Sequence, residues 1–139
     1  SRTAKLIDEV TTAFKEFRVH EAARLIREFI VEDVSHWYIK LIRRRVWEEA
    51  ESPSKIAAYV TLYTVLKTWL LLAAPIIPFI TEYLYQRLVV PAEANAPMSI
   101  HICEWVKPLT EYRDEELERY MNIVKSVFEL SASIRMKHV

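Results

Sequence analysis

The sequence predicts an all-α protein, and three observations carry that prediction. None of the 139 residues is glycine, although average usage of about 7% would give roughly ten. Tight hairpins and phosphate-binding loops depend on glycine, so hairpin-rich β folds and nucleotide-binding α/β folds are disfavoured. Apolar residues recur every three or four positions, as on one side of a helix. The length suits one domain, which we predict to be a five-helix bundle spanning residues 1–139.

The first two helices are predicted from apolar residues at helical spacing. Residues 2–16 carry one apolar stripe, which consists of Leu6, Ile7, Val10, Phe14 and Phe17. A longer helix runs from about residue 20 to residue 49. Its apolar face consists of Ala23, Ile26, Ile30, Val34, Trp37 and Leu41. We expect each helix to bury that side and expose the other.

The third helix is predicted over residues 53–74. Ser52 is a good N-cap and Pro53 a good first helical residue. Only one charge, Lys67, interrupts residues 56–81, a length that also suits a membrane span. That central charge and the prolines that follow argue against a span. We therefore predict a central helix that is buried nearly all round.

The fourth helix is predicted to begin near Pro78. Pro75 and Pro78 cannot continue the third helix, so they end it and allow a new one to start. Phe79, Tyr83 and Leu84 are predicted to face inward. The bundle proper then covers residues of about 2–89.

The remaining sequence is predicted to be a loop followed by a last helix. Residues of about 90–112 contain three prolines, and residues 99–103 (SIHIC) are a candidate for one short extended segment. Acidic residues favour a helix N-terminus near residue 113. The apolar face of this helix consists of Leu117, Met121, Val124, Phe128 and Ile134. No stop signal precedes residue 137, so we expect the helix to be cut from a longer protein.

We predict neither catalytic residues nor a metal site in this chain. Cys103 is the only cysteine, so no internal disulfide forms and a reducing, cytoplasmic compartment is expected. The histidines are scattered without metal-ligand spacing: His20, His36, His101 and His138. Lys+Arg and Asp+Glu are both 19. A charged partner must therefore be recognised by a local patch.

One such patch stands out in residues 37–47. Four cations lie within six residues, namely Lys40, Arg43, Arg44 and Arg45. Trp37 precedes Lys40 by one helical turn, and Arg43 forms a second aromatic–cation pair with Trp47. Such a pattern suits single-stranded RNA, because cations neutralise phosphates and flat rings stack on bases.

A simpler interpretation of this patch stays open at this point. Charge runs on helices are often solvated faces, and the arginines could pair with Glu48, Glu49 and Glu51. Trp37 continues an apolar stripe and could belong to the core. In either case we expect at least two of the four cations to project into solvent, because unpaired buried cations are costly.

Two stretches resemble a known family. FIVEDVSHWYIKLIRRRVW (29–47) and LLLAAPIIPFITEYLYQRL (70–88) are similar to the anticodon-binding bundle of class Ia aminoacyl-tRNA synthetases. The similarity is greatest to isoleucyl-tRNA synthetases of archaeal and eukaryotic type. The opening SRTAKLIDEVTTAFKEF and the segment SIHICEW (99–105) resemble the same family, so the resemblance covers essentially the whole chain.

The resemblance implies recognition of tRNA rather than catalysis. The bundle would grip the anticodon stem-loop of isoleucine tRNA, and the rest of a single-chain ligase would use ATP and Mg to attach isoleucine. The resemblance assigns base stacking to Trp37 and contacts with phosphates or base edges to Lys40, Arg43, Arg44 and Arg45. Arg2, in a recurrent Ser-Arg pair on the first helix, is a further candidate for tRNA binding.

Departures from the family pattern leave alternatives open. The catalytic signatures H-I-G-H and K-M-S-K-S are absent, as is an editing module, and His20 stands where a capping Asn is common. The other possibilities are the same domain of a valyl or other class Ia synthetase, a helical protein-interaction module, and a membrane-associated fragment. The expected protein is a monomeric, soluble domain without a membrane partner.

Overall fold

A computed structural model of the chain describes residues 1–137, and it is helical throughout that range apart from turns and loops. The elements are, in order, α1 (Arg2–Lys15), α2 (Val19–Glu28), a π-helical segment (Phe29–Tyr38), α3 (Ile39–Trp47), α4 (Pro53–Ala73), α5 (Pro78–Leu88) and α6 (Glu115–Lys137). Within residues 1–137 no strand is present. The all-α prediction is therefore confirmed. His138 lies outside the described residues.

The turn between α1 and α2 shows one consequence of the missing glycine. Phe17 adopts φ 58°, the left-handed region that glycine usually occupies. The predicted stripe of α1 holds for Leu6, Ile7 and Val10, which are buried, but Phe17 is 90% exposed. The left-handed turn directs this ring away from the bundle.

The predicted long helix is observed over residues 19–47, with a change of helix type in its middle. Helical φ and ψ persist through both junctions of the π-helical segment. At its end the Ile39 N–H donates to the carbonyl of Val34, five residues back. The buried side chains of the whole run are Ala22, Ile26, Phe29, Val34 and Ile42. Leu41, predicted to be buried, is exposed instead.

The larger core cluster joins α1, α2, the π-helical segment and the C-terminal end of α4. Its buried members are Leu6, Ile7, Val10, Ala13, Ala22, Ile26, Phe29, Val34, Leu72 and Ala73. Trp69 packs against this cluster, and its indole N–H donates to the carbonyl of Ile26 at 2.9 Å. The bond satisfies the only polar atom of the ring, so the ring packs deep between helices without an unpaired donor.

A smaller cluster joins α4 to α5 and the following loop. Leu70, Ala74, Tyr85, Val89 and Ile100 form it. The Tyr85 hydroxyl donates to the carbonyl of Pro97 at 2.9 Å. These contacts fold the loop back onto α5.

The prediction of a short extended segment at residues 99–103 is wrong. Ser99 is extended, but Ile100–Ile102 form one 3-10 turn. The Glu82 carboxylate accepts from the Ser99 hydroxyl and from the Ile100 N–H, both at 2.9 Å. The turn is held by this side chain, and no neighbouring strand within residues 1–137 could pair with an extended one.

The prediction for the inward face of α5 is also wrong. Phe79 is 90% exposed, and Tyr83 and Leu84 are exposed as well. Thr81 and Tyr85 are buried instead. Tyr85 packs against Leu70 of α4 and against Ile100 of the following loop. Helical spacing alone does not reveal these partners.

The prediction that α4 is buried nearly all round holds only for its C-terminal half. Ile56, Tyr59 and Val60 are exposed, whereas Leu70 and Leu72 are buried. One side of the first half of α4 is covered, because Ala58 is buried there. By length and composition α4 could cross a membrane, although core helices of soluble proteins meet the same criteria.

The single charge within the apolar part of α4 is paired with a carboxylate of the loop after α5. Lys67 Nζ lies 2.6 and 2.7 Å from the two carboxylate oxygens of Glu93. The Tyr63 hydroxyl donates to the same carboxylate at 2.7 Å. Burial, then the hydrogen bond to Glu93 and the negative charge of Glu93, raise the pKa of Tyr63 to about 12. These bonds fasten the loop after α5 to α4.

The face predicted for α6 does not form a core. Among Leu117, Val124, Phe128 and Ile134 every side chain is at least half exposed, and only Met121 of the predicted stripe is half-buried. The side of α6 that approaches the bundle carries Glu118, Met121 and Lys125. The contacts of that side are largely polar: Glu118 accepts from the Ser1 hydroxyl, and Lys125 donates to Asp33.

Candidate nucleic-acid interface

The cationic patch lies on α3, whose inner side is fixed by buried Ile42. Lys40, Arg43 and Arg44 are exposed, and Arg45 is half-buried. The expectation that at least two of these cations project into solvent is confirmed. The helix therefore presents a positive face beyond the apolar packing that holds it.

These cations are not used to neutralise neighbouring acids. Among the side chains of residues 1–135, no ion pair involves Lys40, Arg43, Arg44 or Arg45. The pairing considered for Glu48, Glu49 and Glu51 does not occur. The helix ends at Trp47, and Glu48 adopts an extended conformation (φ −60°, ψ 133°) that carries the acidic segment away.

An exposed aromatic ring accompanies the cations. The Arg43 guanidinium lies over the ring of Trp47, 4.5 Å from its centroid, and Trp47 is 71% exposed. The predicted Arg43–Trp47 pair is thus present. A large apolar ring left in solvent beside a guanidinium offers a flat surface on which a base could stack.

Trp37 lies at a different place, in a groove of about 370 Å³. The groove lies between the start of α1, the π-helical segment, α4 and α6, and Arg2 lines it together with Trp37. Two of the predicted site residues, far apart in sequence, therefore meet here. The cation that lies over the Trp37 ring is Lys125 of α6 and not Lys40.

Trp37 is half-buried and is held from α6. Its ring meets that of Phe128 edge to face, with centroids 6.0 Å apart and planes at 72°. Lys125 Nζ lies over the same ring, 5.6 Å from its centroid. Trp37 thus belongs to the wall of the groove rather than to the buried core.

An acidic residue, Asp33, also lines this groove. Arg2 donates to Asp33 Oδ2 from Nε at 3.0 Å and from Nη2 at 2.8 Å, and Lys125 donates to Oδ1 at 2.5 Å. Burial alone would raise the pKa of Asp33, but the hydrogen bonds and charges of Lys125 and Arg2 outweigh it and lower that pKa. Arg2, whose side chain is 40% exposed, is therefore bound to a carboxylate of the protein. The cations of α3 have no such partner among the side chains of residues 1–135.

Sequence reasoning did not identify Asp33 and Lys125 as part of this site. Asp33 precedes Trp37 by four residues, a spacing that places two side chains on the same face of a helix. That spacing could have indicated that Asp33 lies beside Trp37. Lys125 is 92 residues from Asp33 in the chain. No local pattern connects the two, so only the fold brings them together.

Comparison with known proteins finds relatives that match almost the whole sequence of this chain. Isoleucine–tRNA ligase of Methanosarcina acetivorans is 43% identical over 137 residues, or 99% of this chain. The ligases of Methanothermobacter thermautotrophicus and Pyrococcus furiosus are 46% and 41% identical, over 97% and 99% of the chain. The chain spans about 13% of the length of these curated relatives.

The family match covers almost every residue of the chain. The family described as the anticodon-binding domain of tRNA ligase matches residues 1–138. It agrees with the helical fold of the chain. This chain is a member of the family of anticodon-binding domains of tRNA ligases.

Proposed function

We propose that this chain is the tRNA-reading domain of an isoleucine–tRNA ligase. It would grip the anticodon stem-loop of isoleucine tRNA, while another part of the enzyme attaches isoleucine. The support for isoleucine is the name shared by relatives that are 41–46% identical. The parent enzyme would act in the cytoplasm, and this domain would be monomeric without a membrane partner.

The observation that carries the proposal is the free cationic face of α3. Lys40, Arg43 and Arg44 are exposed and take part in no ion pair among the side chains of residues 1–135. Phosphates of the stem-loop would be their counter-charge. Trp47, and Trp37 in the adjacent groove, would supply surfaces for unpaired bases of the loop.

ATP and Mg²⁺ belong, in this proposal, to the catalytic part of the parent enzyme. Across the described residues no three His, Cys, Asp or Glu side chains come together as a metal site would need. The sequence has no glycine with which to build a phosphate-binding loop. We assign no chemical step to this chain.

Direct binding tests the proposal. Filter binding would compare an isoleucine tRNA transcript, the same transcript with an altered anticodon loop, a valine tRNA transcript and heparin. We expect binding to the first to be at least tenfold tighter than to the others at equal salt. Equal affinity for all four would overturn the proposal, and preference for valine tRNA would identify a valyl domain instead.

A further inference from the structure

Lys125 contacts both Trp37 and Asp33 in the groove. Its ammonium lies 2.5 Å from Asp33 Oδ1 and 5.6 Å from the centroid of the Trp37 ring. Its side chain is 22% exposed. One cation therefore makes both a salt bridge and a cation–π contact, at a position shielded from bulk water.

The position of this ammonium is set by the protein from three sides. Asp33 is itself held by the two hydrogen bonds from Arg2 on α1. Asp33 and Trp37 both belong to the π-helical segment, four residues apart, and Lys125 reaches them from α6. Because the carboxylate is fixed, the ammonium is held over the ring rather than free to move around it.

These contacts restrict the motion of the Trp37 ring. Lys125 covers part of one face of the indole, and the Phe128 ring approaches it with its plane inclined by 72°. A ring held in one orientation loses less conformational freedom when a partner stacks on it. The same ring without Lys125 would have to be ordered at the moment of binding.

We propose that Lys125 is a positioning residue of the RNA interface, which holds the Trp37 indole in the orientation that receives an unpaired base. This inference rests on the proposed function. Lys125 acts through the ring and does not itself neutralise a phosphate, because its ammonium is bound to Asp33 and only 22% of its side chain is exposed. The cations of α3, in contrast, would contact phosphates directly.

The first test needs no RNA. Indole N–H signals in proton–nitrogen NMR spectra would be compared for the parent, K125M and K125R, with the Trp37 signal identified by its loss in W37F. We expect the Trp37 signal to move in K125M and to return toward its parental position in K125R. The signal of Trp69, bonded to Ile26, should stay in place. An unmoved Trp37 signal in K125M would overturn the inference.

The second test uses the isoleucine tRNA transcript at several salt concentrations. K125M should bind about fivefold more weakly with an unchanged salt slope, and K125R should recover most of that loss. R119M removes an exposed charge from the same helix, at a residue that does not line the groove of Trp37. It should cost at most about twofold, with an unchanged slope. In a W37A background K125M should cost nothing further.

Each other result has a defined meaning. Tighter binding by K125M would show that Lys125 blocks the ring, and a slope flattened by about 1 would make it a phosphate contact. Either result overturns the inference while the proposed function stands. A parent chain that does not prefer isoleucine tRNA would overturn both. Thermal melts of K125M and K125R confirm that folded proteins are being compared.

Discussion

The two ends of the chain are attached to the molecule in different ways. The first helix, α1, buries Leu6, Ile7 and Val10 in the larger core cluster. The last helix, α6, has no buried residue among positions 115–135. It is tied to the bundle by Lys125 and by the Phe128 ring. One helix is held by apolar area and the other by a few directional contacts.

The difference separates the sources of stability from the sources of recognition. The stabilisation from apolar burial is non-directional and scales with the area removed from water. Directional polar contacts contribute less to stability but fix where particular side chains lie. The groove that contains Trp37 is lined by residues of both α1 and α6. Substitutions in each region should therefore affect different measurements.

Core truncation should have the largest effect on folding. Leu72 is fully buried in the cluster that joins α1, α2 and α4. Leu72→Ala should lower the free energy of unfolding by about 2–5 kcal/mol, measured by urea denaturation. Ile123→Ala, on the exposed side of α6, is the control and should change it by less than about 0.5 kcal/mol. Equal losses would mean that α6 is part of the core.

Truncation of Trp37 should affect binding more than folding. Trp37→Ala should cost about 1–3 kcal/mol in tRNA binding, with little change in salt dependence. Because the ring is only half-buried, its cost in unfolding free energy should stay below the roughly 3–5 kcal/mol of a core tryptophan. Trp47→Ala is the companion variant and should leave stability nearly unchanged. A Trp37 variant that melts far lower and binds normally would return the ring to the core.

Removal of the Asp33 charge should weaken folding in a pH-dependent way. Asp33→Asn should cost about 1–2 kcal/mol at pH 7, because Arg2 and Lys125 lose a charged acceptor. The folded-state pKa of Asp33 lies below its ordinary value of 3.8. Its contribution to stability is thus fully present above pH 3.8, and is lost as the pH falls below that value toward the folded pKa. Urea denaturation of parent and variant across acidic pH should show the two converging; a constant difference would contradict this account.

Loss of one exposed cation should have the smallest effect on the fold. Arg44→Ala should leave the unfolding free energy within about 0.5 kcal/mol of the parent. It should weaken tRNA binding and reduce the log–log salt slope by at most about 1. Arg24→Ala, an exposed cation on α2 at the other end of the same helical run, is the matched control. Binding by the Arg44 variant that equals the parent at every salt concentration would remove it from the interface.

Local patterns in the sequence were enough to predict the helices. The cap formed by Ser52 and Pro53 is observed as predicted, with the Lys55 N–H donating to the Ser52 hydroxyl at 3.1 Å. The bounds of the main helices agree within a few residues. Capping and helical periodicity depend only on residues within a turn of one another, so they are visible without the fold. The contacts assigned to Trp37, Arg2 and the α3 cations remain predictions.

The sequence by itself determined that the chain is helical, where its helices begin and that its cations cluster on one of them. The tertiary structure alone decided which apolar side chains are covered. Phe79 and Phe128 have the spacing of core residues and yet lie at the surface. A side chain is buried only where another element of the fold packs against it. It also decided that Lys125, 92 residues from Asp33, meets that carboxylate beside Trp37. Such a contact is a property of chain topology, which no local spacing encodes.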